Sequence, residues 1–293
     1  MNIGSYESVF SQIKEKRITF LDFIDYANHL LNKENNDLFL KPEVFISVFT
    51  QAERLLQPDL LNIHVNPFYQ TYLDKENDLL QSLKNKRIHI AFKNILAQQQ
   101  PKNVLSEIVN ALKSLSNKPI VLTIDSPQKW LLQVQETVSE SKLSNFSLDD
   151  FERASMYMAE LLRAFSTLGI SAIVLSETNE IPFSLEELLN SYQPIINVAN
   201  HYKWRLGIHL ESTSIDIAIV NDKVDFYLNQ SLGIEELSPF WEKGLSVGGG
   251  LNREFWKGNI QQKIEPNRGL LYGKIPPDAE PETVLAQLKA LQS

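Results

Sequence analysis

The sequence predicts an α/β fold: a (β/α)8 barrel of parallel strands, each followed by a helix. Three observations predict it. Short apolar runs recur along the chain with helix-sized amphipathic segments between them, the pattern of βαβ units in a parallel sheet. About eight such runs fit into 293 residues without a linker-like break in composition, which favours a closed barrel over an open doubly wound sheet. Neither a dinucleotide fingerprint nor a phosphate-loop motif occurs, so the open sheet lacks its usual signature. The reading is one barrel domain over 1–293, with residues 1–40 as an N-terminal helical extension packed on it.

The elements follow in order. Between residues 8 and 33, apolar positions from Phe10 to Leu31 settle into helical spacing. A polar break from Asn32 to Asp37 ends that segment. Pro42 suits a helix first turn, and Val44, Phe45, Val48, Phe49, Ala52, Leu55 and Leu56 form its apolar stripe. Pro58–Asp59 stops it, and LLNIHV follows as a strand. RIHIAF (87–92) alternates and is expected as a strand, with an amphipathic helix over 102–116. PIVLTID (119–125) is a strand. Ser147 caps a long helix, with Asp149 and Asp150 in its first turn and Gly169 beyond its end. SAIVLSE (171–177) is a strand, and Ser184 with Glu187 forms a capping box. RLGIHLE (205–211), IDIAIV (215–220) and VDFYLN (224–229) are strand-like, and 235–243 is helical. LSVGGG (245–250) and LLYGKI (270–275) are the last strands, and 281–291 is the last helix.

Bulk properties narrow the function classes. Hydrophobic residues make up 43% and charged residues 22%, an ordinary globular balance. No apolar run approaches the ~20 residues of a membrane helix, and no signal-peptide pattern opens the chain. The absence of cysteine excludes disulfides and thiolate chemistry and fits a cytoplasmic protein. A net charge of -8 disfavours nucleic acid or an anionic membrane as partner. The expected partner is a small-molecule substrate.

Strand alternation picks out candidate site residues. Helices cover a barrel's outer face, so Leu61, Ile63 and Val65 should point outward and Asn62, His64 and Asn66 inward. By the same rule His89, Thr123, Asp125, His209 and Glu211 point inward. Asn66, Asp125, Glu177 and Glu211 fall at C-terminal strand ends, where barrels of this kind carry their sites. Asp125 and Glu177, on neighbouring strands, are a candidate carboxylate pair for acid–base work. The alternative is that these groups simply satisfy one another inside the barrel. The glycines of VGGGLN, with Gly249 and Asn252, could approach a phosphate, charge coming from Arg253 or Lys274; a tight turn is the simpler account. The four tryptophans read as packing.

Several of these segments resemble, in order and spacing, the uroporphyrinogen decarboxylase superfamily, which also contains cobalamin-linked methyltransferases and, more distantly, cobalamin-independent methionine synthase. LLQPDLLNIHVN is similar to the family's early strand, with Asn66 where decarboxylases hold a substrate-binding aspartate. PIVLTIDSP and GISAIVLSETNEIPFSLEEL resemble later strand–helix segments, Glu177 taking an acidic place. VGGGLN resembles a Gly-Asn-Leu-Asp turn. GLLYGKIPP resembles the last strand, with Tyr272 in place of a histidine. The N-terminal Arg-Gln-Ala-Gly-Arg signature of decarboxylases is missing, which argues against porphyrinogen decarboxylation. The methyltransferases' His-x-Cys zinc pair reads His209-Leu210-Glu211 here. The resemblance thus implies a lyase- or methyltransferase-like enzyme with catalytic Asp125, Glu177, His209 and Tyr272. Substrate would be held by Asn66, His64, Glu211, Gly249, Asn252 and Lys274. It also implies a divalent metal such as zinc on His209 and Glu211, and a homodimer or a methyl-carrier protein as partner. A barrel that binds a ligand without turnover is the alternative.

Overall fold

The computed structural model describes residues 7–33, 37–84, 86–138, 146–178, 183–210, 223–258 and 268–292. Eight parallel strands close into a barrel in strict sequence order. They are β1 (Arg17–Asp22), β2 (Leu60–His64), β3 (Ile120–Asp125), β4 (Ala172–Ser176), β5 (Arg205–His209), β6 (Phe226–Leu228), β7 (Val247–Gly250) and β8 (Gly269–Lys274). Closure is by β1 on β8, whose register runs from Arg17 opposite Gly269 to Asp22 opposite Lys274.

The first helices are α1 (Glu7–Gln12), α2 (Ile24–Leu31), α3 (Pro42–Leu56), α4 (Asn66–Leu73), α5 (Asn77–Leu83), α6 (Ile88–Leu96) and α7 (Gln99–Leu115). The remainder are α8 (Pro127–Val138), α9 (Leu148–Ala164), α10 (Leu185–Ser191), α11 (Gln193–Tyr202), α12 (Ile234–Glu242), α13 (Arg253–Trp256) and α14 (Pro281–Gln292). The caps follow the sequence. Pro42 opens α3. Capping boxes of Ser147 with Asp150 and of Ser184 with Glu187 open α9 and α10, each satisfying otherwise orphaned N–H groups. Gly169, just after α9, takes a positive φ of 69°, a conformation that favours glycine.

Two sequence expectations are corrected. Residues 17–22 lie within the expected helical extension, yet they form β1. Ile18 and Phe20 fill the barrel interior while Leu21 joins the outer core, so the period there is two. RIHIAF is not a strand: residues 88–96 are α6, burying Ala91, Phe92, Ile95 and Leu96 at helical spacing and leaving Ile90 41% exposed. Phe92 packs edge-on against Trp130 of α8 at 5.5 Å. The run alternates for six residues, but its apolar period continues helically past Lys93. His89 therefore sits on a helix and not in the barrel. The expected strand 215–220 lies outside the described residues.

The interior is layered by polarity. Ile18, Phe20, Leu60, Val121, Val174 and Phe226 belong to one apolar cluster that fills most of the barrel. Phe10 and Ile13, from α1 and the turn after it, join that cluster, and Phe10 packs on Phe226 with the rings tilted by 30° and their centroids 5.2 Å apart. Gly207 of β5 makes room for this filling: a Cβ there would sit 2.4 Å from the Phe226 ring. The expectation of a small and polar interior thus holds only for the last layer, at the C-terminal strand ends.

Candidate functional site

Strand alternation carries Asp22 to the same interior face as Ile18 and Phe20, one layer nearer the mouth. His64 Nε2 lies 2.9 Å from Asp22 Oδ2 and 3.1 Å from Asn62 Nδ2. An Asn62 NH2 group cannot accept a hydrogen bond, so a proton on Nε2 goes to Asp22. Thr123 Oγ1 donates to Asn62 Oδ1 at 2.6 Å, tying β3 to β2. The other ring nitrogen of His64, Nδ1, has no partner among the described residues and is not sealed from water. His64 faces a cavity of about 380 Å3, described below.

Charge assigns the two imidazoles different states. Burial favours a neutral His64, but the charge and hydrogen bond of Asp22 outweigh it and raise the pKa, with Asp25 assisting and Lys274 opposing. Burial would likewise raise Asp22; the adjacent His64, with weaker help from Lys274 and His209, holds it below the ordinary carboxylate value. His209 goes the other way. Burial pushes it down to about 4; Lys129, His64 and Lys274 add to the push and Asp22 opposes it. Its Nε2 is buried without a partner. Its ring meets Tyr272 edge-on at 5.2 Å, and Tyr272 leans on Phe20 at 5.4 Å. The site therefore sets a histidine whose charged form Asp22 favours beside one that burial holds neutral, the kind of division that acid–base chemistry uses.

Around this centre the charges are paired. Lys129 of α8 reaches Asp125 Oδ1 at 3.1 Å and Ser176 Oγ at 3.0 Å. Lys274 reaches Asp25 at 2.7 Å. Asn66, at the start of α4, accepts from the Asp125 backbone N–H at 2.7 Å. That contact fixes its amide orientation and leaves Nδ2 buried and unpartnered.

The proposed carboxylate pair is not brought together. Asp125 turns to Lys129, while Glu177 follows the inward Ser176 and so takes the outer face of the sheet. There Glu177 is 3% exposed and accepts from Ser126 Oγ and Tyr192 OH, each at 2.7 Å, and from the Thr178 N–H at 2.9 Å. Burial raises its pKa despite those three donors. It joins the loops after β3 and β4 to the helix layer. Gly249 is a packed strand residue whose Cβ would lie 2.4 Å from the Asn229 carbonyl oxygen. Asn252 caps α13, accepting from the Phe255 N–H at 3.1 Å. Neither is free to cradle a phosphate. Glu211 lies outside the described residues, and no group of three His, Cys, Asp or Glu side chains able to hold a metal occurs among the described residues.

The sequence reading missed Asp22, Lys129 and Ser176. A signal for Asp22 existed: ITFLD matches LTID in ending an apolar run on aspartate, with Ile18, Phe20 and Asp22 alternating.

The cavity lies between the β2–α4 and β3–α8 units, with His64 and Asp125 at its barrel end. Trp130, Gln133, Val134 and Thr137 line it from α8, and Asn66, Tyr69, Gln70 and Leu73 from α4. Both sets have i, i+3, i+4, i+7 spacing, one face of each helix. No helix among the described residues is long and apolar enough to cross a membrane. A scan of protein-family models and a search of curated proteins find no match to this chain.

Proposed function

We propose that this chain is an acid–base enzyme acting on a small organic substrate at the C-terminal end of the barrel. We further propose that it is a divergent relative of the decarboxylase and methyltransferase barrels that catalyses something other than porphyrinogen decarboxylation. One observation carries the enzyme reading: the Asp22–His64 pair at 2.9 Å beside a cavity. Asp22 takes the Nε2 proton, so His64 offers Nδ1 to the cavity as base when neutral and as acid when charged. His209 supplies a neutral imidazole whose buried Nε2 lacks a partner, and Tyr272 fixes its ring. Support for the family reading is positional. The His209-Leu210-Glu211 segment begins at the end of the fifth strand, and the glycine run and Tyr272 lie on the seventh and eighth.

The test is incubation of the protein with a mixed extract of cellular small molecules, read by mass spectrometry. Wild type should consume at least one compound, and His64→Gln should slow that by about 10²–10⁴-fold, the usual worth of general acid–base catalysis. Equal turnover by the variant removes His64 from the mechanism. Binding without turnover favours the ligand-binding barrel instead.

A further inference from the structure

We propose that a second cavity, at the N-terminal end of the barrel beside α1, binds a small organic anion whose charged group is held by Lys14, Arg205 and Ser246. This end is opposite to Asp22 and His64, since Arg205 begins β5 and Asp22 ends β1. The site is therefore independent of the enzyme reading.

Donors that a ligand can reach come first. A cavity of about 330 Å3 opens between the α1 segment and the starts of β5, β6 and β7. Lys14 lines it, is exposed, and has no hydrogen-bond or ion-pair partner among the described residues. Arg205 lines it, is 45% exposed, and engages only one of its side-chain nitrogens there, Nη1 with Asp225 Oδ1 at 2.6 Å. The rest of its planar donor fork is open. Ser246 is half-buried, and its hydroxyl is neither sealed from water nor partnered among the described residues.

Charge comes second. The one carboxylate lining the cavity, Asp225, is already spent: Oδ1 takes the Arg205 guanidinium, and Oδ2 accepts from the Leu206 N–H at 2.8 Å. Lys14 is then a surplus cation. Its surroundings have the same sign. Residues 13–17, 203–205, 223–225 and 242–246, which lead into β1, β5, β6 and β7, hold seven lysines and arginines against three carboxylates, in a chain of net charge -8. An anion arriving here gains charge-assisted hydrogen bonds without breaking an existing pair. The floor is apolar: Phe10, Ile13 and Phe226 are buried, and the two rings brace each other at 5.2 Å, so the floor is preformed. A bare phosphate would leave that floor uncovered, whereas a carboxylate or phosphate on an apolar body uses both parts. At about 330 Å3 the space is at the small end of ligand pockets, enough for one ring and its charged group.

Probes of similar shape and different charge test this: benzoate, phenyl phosphate, benzamide and benzamidinium, with inorganic phosphate as the anion that lacks a ring. Each is titrated calorimetrically into the full chain, and the tightest is soaked into crystals. At least one of the two aromatic anions should bind, with its ring on Phe10 and Phe226. Benzamide and benzamidinium should bind at least about tenfold more weakly than that anion, because they gain no charge-assisted bond. Inorganic phosphate should also bind more weakly, because it covers no apolar floor. Lys14→Glu, at an exposed residue without a partner, leaves the fold intact and should weaken the aromatic anion by at least about tenfold. Ser246→Ala gives a second reading and should weaken it about threefold. Benzamide binding as tightly as the aromatic anions overturns the site. So does anion binding unaffected by Lys14→Glu, an anion found elsewhere in the crystal, or no binding of either aromatic anion up to about 10 mM. All of these readouts are of binding, so loss of the proposed turnover leaves this site standing, and failure of the site leaves Asp22 and His64 untouched.

Discussion

Replacing Asp22 by asparagine tests the centre of the site with little change of shape. Asp22 is 4% exposed and lies 2.9 Å from His64 Nε2. Two unit charges at that distance attract by about 6 kcal/mol at an effective dielectric of 20. Desolvation of both groups offsets much of this, and a hydrogen bond to a charged partner leaves about 1.5–3 kcal/mol net. Unfolding entropy of roughly 2.1 cal/mol/K per residue gives about 0.6 kcal/mol/K for a chain of this length, so Tm should fall by about 2–5 °C. The loss depends on pH. The folded pKa of His64 is raised, so its share is fully present below the ordinary value near 6.5 and is lost as pH rises through the folded value. The folded pKa of Asp22 is lowered, so its share is present above the ordinary value near 3.8 and is lost as pH falls through the folded value. The deficit of Asp22→Asn is therefore largest between about pH 4 and 6.5 and smaller at pH 9. Thermal unfolding at pH 5.5 and 9 measures it, and NMR of labelled histidine follows the ring. In the variant His64 should titrate lower than in wild type, because burial is no longer opposed by Asp22. Equal deficits at both pH values, or a wild-type His64 that titrates below the ordinary value, would refute the ion pair.

Three further outcomes are expected. Tyr192→Phe removes one of three donors from the buried Glu177 and should cost about 1.5–3 kcal/mol at pH 8. The cost should shrink at pH 4, where the carboxyl with its raised pKa takes up a proton, as denaturant unfolding at the two pH values would show. His209 is pushed down to about 4, so the unfolded chain binds its proton first; wild type should lose about 2–3 kcal/mol as pH falls from 6.5 to 4. His209→Phe should flatten that acid limb, and an unchanged limb would mean that the ring is hydrated and titrates normally. Gly207→Ala drives a Cβ to 2.4 Å from the Phe226 ring and should cost about 1–3 kcal/mol. Adding Phe226→Leu should recover part of it in a double-mutant cycle, and strict additivity would show that the two residues do not touch.

The barrel was legible because seven of its strands carry apolar runs bounded by turn signals, and these recur with helices between. Helix starts at Pro42, Ser147 and Ser184 were legible because caps are local chemistry. The two errors share a cause: a six-residue run does not fix its own period. RITFLD sits directly before FIDYANHLL, and its apolar residues blend into that helix's pattern. RIHIAF alternates by chance inside a helix that buries Ala91, Phe92 and Ile95. The first error hid half of the site's central pair, since Asp22 lies at the end of β1. Glu177 failed differently. Its place at a strand end was read correctly, but whether its carboxylate faces the mouth or the helices depends on the parity of β4, and Ser176 takes the inward place.

His209 is where stability and use part company. Its ring packs edge-on against Tyr272. A phenylalanine would keep that packing and remove a buried nitrogen with no partner, a gain of about 1–3 kcal/mol by the cost of an unsatisfied polar group. A barrel selected only to fold has no reason to keep such a residue at its mouth. Local rules are broken where function asks for it, and the stabilised variant is then expected to lose activity. His209→Phe thus gives two readings from one protein. Greater stability with lost turnover would mark the ring as part of the working site. Greater stability with turnover intact would reduce it to filling, and would leave the Asp22–His64 pair to carry the chemistry alone.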